Sequence, residues 1–373
     1  MYNIYKPYEE NYALGPDKNF LNPKKFPKII FQGQPQFSFL DEKFYLPFGV
    51  PAGPLLNSKY INCALDAGFC FPIYKTVRSQ YYPCHPFPNI VKIKSEKKNL
   101  FADEKNDVLG EFIEKEDVHS RTLSISNSFG VPSQPSDIWQ NDFLNCQQNH
   151  KGYSVGISFQ GTNRNFHWNL WKENFLLTAE LACQALQKAN AKFIEVNLSC
   201  PNENAVPLYK DFQKSKELLA ELSKVTKPYQ KKLIAKIGVV NLEECKKWIH
   251  EIPEFIDGLS VINTVSANIL NSNNDIILGS KSKHGGICGN LIRQQGLMMV
   301  ESLANLMSKL KVSKNQFGLI GVGGIMTAQH VKDYLNSGAH VAQSATGMMW
   351  NLNLAKEVSN LFNVSYEEVR HHE

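Results

Sequence analysis

The sequence predicts an α/β protein built on one (β/α)8 TIM barrel, with an N-terminal extension and enlarged loops at the strand ends. Three observations predict it. Eight short runs of β character alternate with segments of helical apolar spacing. Most of those runs are continuously apolar, as strands covered on both faces are. A doubly wound open sheet places its phosphate glycines after its first strand; here they come late, at 285–289 and 321–324.

Taken in order, residues 1–45 form an extension rich in Tyr, Phe, Asn and Lys. Pro7, Pro16, Pro23, Pro27 and Pro35 interrupt any long helix there, which disfavours an amphipathic membrane anchor. Its aromatic content fits a strap packed along a larger body. The barrel domain follows over 46–373. Strands are expected at 48–53, 71–77, 153–161, 193–200, 232–238, 258–264, 317–323 and 340–346. Helices are expected near 58–67, 174–189, 212–225, 241–250, 290–310, 327–337 and 352–362. Two intervals break the rhythm. An insertion at 78–126 is charged and poorly periodic, and 265–285 is rich in Asn and Ser. Both would emerge as lids or binding loops at strand C-terminal ends, where barrels place chemistry.

Composition narrows the class of function. The chain has 373 residues, against about 250 for a bare barrel. Lys and Arg exceed Asp and Glu by 40 − 35, a net charge of +5, too mild to indicate nucleic acid as partner. With 20% charged and 43% hydrophobic residues the chain can bury a large core. The start lacks a signal-peptide stretch and no run is long enough to span a bilayer, so a cytoplasmic protein without membrane attachment is expected. Eight cysteines are scattered without a CxxC pair, which argues against zinc, iron–sulfur clusters and a disulfide scaffold. The ten histidines look incidental, and no metal site is expected.

The strongest local chemistry is Asn197-Leu198-Ser199-Cys200-Pro201-Asn202, closing the fourth strand. A thiol at that end of a barrel strand sits where a base or nucleophile belongs, and the flanking amides suit a flat polar ligand. The bland alternative, a buried small hydrophobe, has about even weight for Cys200 alone. GGICG at 285–289, GVGG at 321–324 and Ala345-Thr346-Gly347 suggest backbone binding of a phosphate around the last strands. Any one of these glycine clusters alone is equally compatible with a simple turn. Lys75 and Lys236 lie on apolar strands, where a charge needs a partner; either one alone is compatible with snorkelling to the rim, but one anionic cofactor would satisfy both. Asn127-Ser128-Phe129-Gly130 and Asn263-Thr264 add amides and hydroxyls without a carboxylate pair or a Ser-His-Asp set.

In this order, NLSCPN, the lysines of IYKT and IAKIG, NSFG, INT, GGICG and GVGGI resemble the dihydroorotate dehydrogenases, over roughly 46–362, and most closely the soluble class with a cysteine base. The resemblance implies FMN as cofactor and oxidation of dihydroorotate to orotate in de novo pyrimidine biosynthesis. It implies a flavin site of Ala52, Gly53, Lys75, Thr76, Asn197, Lys236 and Ile262. The phosphate would lie on Gly286, Gly289, Gly323, Gly324, Ala345 and Thr346. Substrate would meet Lys75, Asn127, Phe129, Gly130, Val131, Asn197, Asn202, Asn263 and Thr264. Cys200 would take the C5 proton while hydride passes from C6 to flavin N5, with Lys75 and Lys236 assisting.

The chain departs from the family's pattern at Phe129, where Met is usual, at Ser133, often Asn, and at Ala345-Thr346 in place of Gly-Thr. The INTVS segment also resembles the pyrimidine-reducing domain of dihydropyrimidine dehydrogenase, which would act on uracil or thymine and would need an iron–sulfur partner. A tRNA dihydrouridine synthase is a less favoured alternative, since such proteins carry a helical RNA-binding domain after the barrel and only about 25 residues follow the eighth strand of this sequence. A non-catalytic flavin-binding barrel is the remaining alternative. The resemblance further implies a homodimer; the sequence leaves the electron acceptor open among fumarate, oxygen and NAD through a partner subunit, with a quinone disfavoured by the lack of an expected membrane anchor.

Overall fold

The computed structural model describes residues 1–17, 26–114, 117, 121–147, 151–163, 167–199, 206–313 and 316–369. The extension holds α1 (Tyr8–Leu14), β1 (Lys28–Phe31), β2 (Phe37–Phe39) and β3 (Glu42–Phe44). The barrel opens with β4 (Phe48–Val50), α2 (Ser58–Asp66) and β5 (Phe71–Val77). The insertion supplies β6 (Ile90–Lys94), β7 (Asp107–Glu111) and β8 (Ser124–Asn127), followed by α3 (Ser136–Phe143). Next come β9 (Gly156–Phe159), α4 (Trp168–Lys188), β10 (Phe193–Asn197) and α5 (Phe212–Thr226). They lead into β11 (Lys232–Ile237), α6 (Leu242–Glu251) and β12 (Gly258–Val261). After β13 (Val265–Leu270) and β14 (His284–Gly289) come α7 (Arg293–Lys309), β15 (Gly318–Val322), α8 (Ala328–Asn336) and β16 (Val341–Gln343). The last elements are α9 (Thr346–Trp350), α10 (Leu354–Leu361) and β17 (Tyr366–Val369).

Eight strands close into a barrel in the order β10-β11-β12-β15-β16-β4-β5-β9, each neighbouring pair parallel. Each lies inside one of the eight predicted runs. Their legibility follows from burial: β5 and β10 are buried at every position, because helices cover the outside and side chains fill the inside. Helices α5 and α6 start where the sequence offers side-chain caps. Asn241 and Glu244 form a reciprocal capping box on α6, and the Asp211 side chain accepts from the Lys214 N–H at the start of α5.

The N-terminal end of the barrel is plugged by the β2–β3 hairpin. Phe39 stacks on Phe193 at 5.7 Å between centroids, and Phe71 meets Phe193 edge-on at 4.7 Å. This leaves the opposite end of the strands for a site. The extension packs along the barrel, with Pro7 as the N-cap of the short α1. Its strand β1 pairs antiparallel with β17, from Lys28↔Val369 to Phe31↔Tyr366.

The two intervals expected as separate loops are a correction. They combine into a second closed barrel of five strands, β13-β14-β8-β6-β7, on the C-terminal side of the first. The β14 strand runs antiparallel to both β13 and β8, and β13 runs parallel to β7. GGICG is thus strand backbone rather than a loop after strand seven or eight. It was hard to read because its partners are remote in sequence and its glycines carry no apolar alternation.

Candidate active site

Every predicted site residue within the described part of the chain lines one cavity at the C-terminal ends of the large barrel's strands. Ala52 and Gly53 follow β4, and Lys75 and Thr76 belong to β5. Asn197 ends β10, and Lys236 lies in β11. Ile262, Asn263 and Thr264 follow β12, Gly323 and Gly324 follow β15, and Ala345 and Thr346 follow β16. The small barrel builds the facing wall with Asn127 of β8, Phe129, Gly130 and Val131 after it, and Gly286 and Gly289 of β14. Cys200 and Asn202 lie outside the described residues.

The cavity floor is polar and tied to the strands. Asn197 donates to the Gln160 side-chain oxygen at 2.9 Å and accepts from the Ser199 N–H at 3.1 Å, which fixes its amide orientation. Ser199 donates to the Lys236 carbonyl at 3.1 Å, so the segment entering Cys200 is bound to β11. Thr76 donates to Ser158 at 3.0 Å. Asn263 accepts from the Thr264 N–H at 2.9 Å. Lys75 and Lys236 are both buried, and burial pushes the Lys236 ammonium below the usual lysine range while Glu195 opposes that shift. Among the described residues lining the cavity there is no acidic side chain, so an anion would meet cations, amides and backbone N–H groups.

The glycine wall depends on close backbone approach. Gly324 has φ +66°, and a Cβ there would stand 2.7 Å from the Gly289 carbonyl oxygen and 2.7 Å from Arg293 Cβ. A Cβ on Gly286 would lie 2.1 Å from Thr264 Oγ1. Tyr334 donates to the Gly323 carbonyl at 2.6 Å from α8, holding the turn from behind.

Several residues that shape the site carried no sequence signal. Arg78 is fully buried. Its guanidinium donates to the Val131 carbonyl at 3.0 Å, to Thr162 Oγ1 at 3.1 Å, to the Gly161 carbonyl at 3.3 Å and to the Gly130 carbonyl at 3.5 Å. It holds the NSFGV turn, where Gly130 and Val131 both have positive φ, +74° and +53°. His85 lies beneath the same turn: its ring contacts Ser128 Oγ at 3.2 Å, and a Cβ on Gly130 would be 2.5 Å from its Nε2. Burial depresses the His85 pKa, favouring the neutral ring. The histidines are accordingly not all incidental, since His330 likewise accepts from the Met326 N–H beside the 321–324 turn at 3.2 Å.

The strap supplies a roof. Tyr2 and Tyr8 line the cavity together with Phe129, at ring-centroid separations of 5.7 Å and 6.1 Å from it. The Lys75 ammonium lies 5.6 Å from the centre of the Tyr8 ring. Helix α1 is fastened by Tyr60, whose hydroxyl donates to the Asn11 carbonyl, and by Asn57, which donates to the Tyr12 carbonyl. Cys288, inside GGICG, also faces the cavity, and burial raises its thiol pKa. Long-range packing brings these residues in, which local pattern does not encode.

A family model described as dihydroorotate dehydrogenase matches residues 116–361. The chain is also 33% identical over 377 aligned residues to a dihydroorotate dehydrogenase of Dictyostelium discoideum, covering 96% of each. The chain belongs to the dihydroorotate dehydrogenase family. It is an enzyme of that family on a TIM barrel. A probable dihydroorotate dehydrogenase A (fumarate) of Streptococcus pneumoniae is 23% identical across 60% of this chain and 67% of its own. The catalytic subunit of a dihydroorotate dehydrogenase B (NAD(+)) of Staphylococcus carnosus is 30% identical across 50% of this chain and 57% of its own. At 96% of the chain, the Dictyostelium match also takes in Lys75 and most of the strap, which precede the segment matched by the family model. Among the described residues, no helix is long and apolar enough to cross a membrane.

Proposed function

We propose that this enzyme oxidises dihydroorotate to orotate in de novo pyrimidine biosynthesis, using FMN, with Cys200 as the base. One observation carries the reading: two buried strand lysines, Lys75 and Lys236, open into the same cavity as amides from three separate elements and a close-packed glycine wall. The residues fit FMN on their own chemistry. Gly324 and Gly289 approach as only glycines would, leaving backbone N–H groups for a phosphate beside Ala345 and Thr346. The lysines suit the polar edge of a ring that becomes anionic on reduction.

When bound, the flavin supplies the hydride acceptor for C6 of dihydroorotate. The chain's own residues do the rest. Asn127, Asn197, Asn202, Asn263 and Thr264 hold the ring amides and the carboxylate, with Lys75 adding charge. Phe129, Gly130 and Val131 form the side against which the ring packs, and the tyrosine roof excludes water. Cys200 as thiolate removes the C5 proton, so proton and hydride together complete the two-electron oxidation. A free thiol titrates near ~8.5, so turnover climbs through mildly alkaline pH unless the site lowers that value. We place the enzyme in the cytoplasm as a homodimer.

The test is a yellow protein that releases FMN and bleaches anaerobically with dihydroorotate faster than with dihydrouracil. Cys200→Ala should keep its flavin and lose most turnover. Near-normal flavin reduction in that variant would overturn the base assignment, and preference for dihydrouracil would overturn the substrate.

A further inference from the structure

Directly beneath the site lies a carboxylate that the reaction above does not use. Glu195 of β10 is 2% exposed, and neither of its oxygens has a hydrogen-bond partner. Strand register places it opposite Ser158 of β9 on one side and Ile234 of β11 on the other. Two positions along β11 from Ile234, on the same face, is Lys236, which is opposite Asn197 and Ser260. Glu195 and Lys236 therefore share the barrel interior one layer apart, with Lys236 in the layer that opens to the cavity. The hydroxyls of Ser158 and Ser260 are the polar groups facing the carboxylate, and Ser158 is already held by Thr76. Among the described residues, Glu195 is the charged group acting on Lys236, and Lys236 the charged group acting on Glu195.

An ionised carboxylate met only by two loosely placed hydroxyls is costly to bury, and so is an ammonium. Each becomes tolerable through the other. Burial alone would drive Lys236 neutral and Glu195 protonated; their mutual field opposes both changes, and the Ser158 and Ser260 hydroxyls give the carboxylate a smaller further help. A neutral amine beneath a flavin edge could not supply positive charge there.

We propose that Glu195 is a positioning residue that keeps Lys236 as an ammonium directed at the cavity, so the charge offered to the cofactor is set from inside the barrel. This rests on the FMN reading above and specifies what holds the charge of that site.

The test measures the FMN dissociation constant of the full-length protein by flavin fluorescence from about pH 6 to about pH 9, a window below the ordinary lysine value near ~10.4. Wild-type affinity should stay nearly flat. In Glu195→Gln burial acts on Lys236 unopposed, so the ammonium loses its proton as pH rises, and affinity should weaken roughly tenfold or more across the window. Glu195→Asp, which keeps the charge, should restore most of the flat profile. A flat profile in Glu195→Gln would overturn the proposal, even if the variant were less stable. Absence of FMN binding by the wild type would overturn the cofactor reading instead.

Should Glu195→Gln fail to fold, unfolding midpoints in urea decide. Lys236→Met leaves Glu195 with a raised pKa, so its stability should fall as pH rises above the carboxylate range. Glu195→Gln/Lys236→Met should fold and lose that slope. A double variant as unfolded as Glu195→Gln alone would refute the pairing.

Discussion

Replacing Arg78 with Met should separate substrate binding from flavin binding. Arg78 touches neither ligand site directly; it grips the carbonyls of Gly130 and Val131 from behind. Of its four bonds named above, those to Val131 at 3.0 Å and Thr162 at 3.1 Å are well formed, while those to Gly161 and Gly130 are longer, at 3.3 Å and 3.5 Å. Two good charge-assisted bonds contribute about 3–6 kcal/mol, and the longer pair adds little. Burying an apolar Met instead of a guanidinium offsets part of this, leaving a net loss of about 3–4 kcal/mol. The turn bears a second consequence. Val131 is β-branched at φ +53°, a conformation costing about 1–3 kcal/mol that persists only while its surroundings enforce it. Without the guanidinium the turn relaxes, and Phe129 and Asn127 shift with it. Urea unfolding should show the stability loss, and steady-state kinetics should show KM for dihydroorotate raised about tenfold with the FMN dissociation constant within about twofold of wild type. Unchanged KM in a measurably destabilised variant would refute the claim that Arg78 shapes the substrate wall.

Gly324→Ala should cost about 1–2 kcal/mol from its left-handed backbone alone, and its Cβ would press on the Gly289 carbonyl at 2.7 Å; flavin content after dialysis should fall sharply. Asp142 accepts from the Ser58 N–H, the Ser58 hydroxyl and the Tyr74 hydroxyl, each at 2.7 Å, so Asp142→Ala should lower stability by about 2–4 kcal/mol, read as a urea midpoint shift without loss of flavin. Tyr8→Leu removes the ring beside the Lys75 ammonium, an interaction of about 1 kcal/mol, and should raise the dihydroorotate KM severalfold while FMN stays bound. Burial lowers the His85 pKa, so the folded protein favours the neutral ring; its contribution is present above the unfolded value near ~6.5 and is lost as pH falls through the lower folded value. His85→Gln should accordingly flatten the loss of stability below that pH, seen by comparing thermal midpoints of variant and wild type.

The large barrel was legible because its strands are buried on both faces: FPIYKTV and FIEVN announce themselves without reference to their partners. The cavity-lining Lys75, Asn197 and Lys236 on those strands drew notice for the same reason, since a charge or amide stands out against an apolar run. The small barrel was not. DVLGE and VSANIL are half-exposed, and HGGICG is half glycine, so each reads as loop until its neighbours are present. Tyr2, Tyr8 and Arg78 were hidden in a different way. Nothing in their local sequence distinguishes them from surface aromatics or an ordinary strand-end charge. Only the tertiary path of the strap and of the NSFGV turn gives them a role.

The five-stranded barrel also dictates an order of assembly. The Ser126 hydroxyl donates to the Gly286 carbonyl at 3.1 Å across 160 positions of chain, and β8 cannot pair with β14 until that intervening chain exists. Closing so long a loop is slow relative to local helix formation. During synthesis the wall carrying Asn127, Gly286 and Gly289 must then be among the later parts to form, after β9 to β12 are already available. The cofactor therefore meets a finished pocket only near the end of folding, and a refolding chain should acquire its helical signal well before it quenches flavin fluorescence.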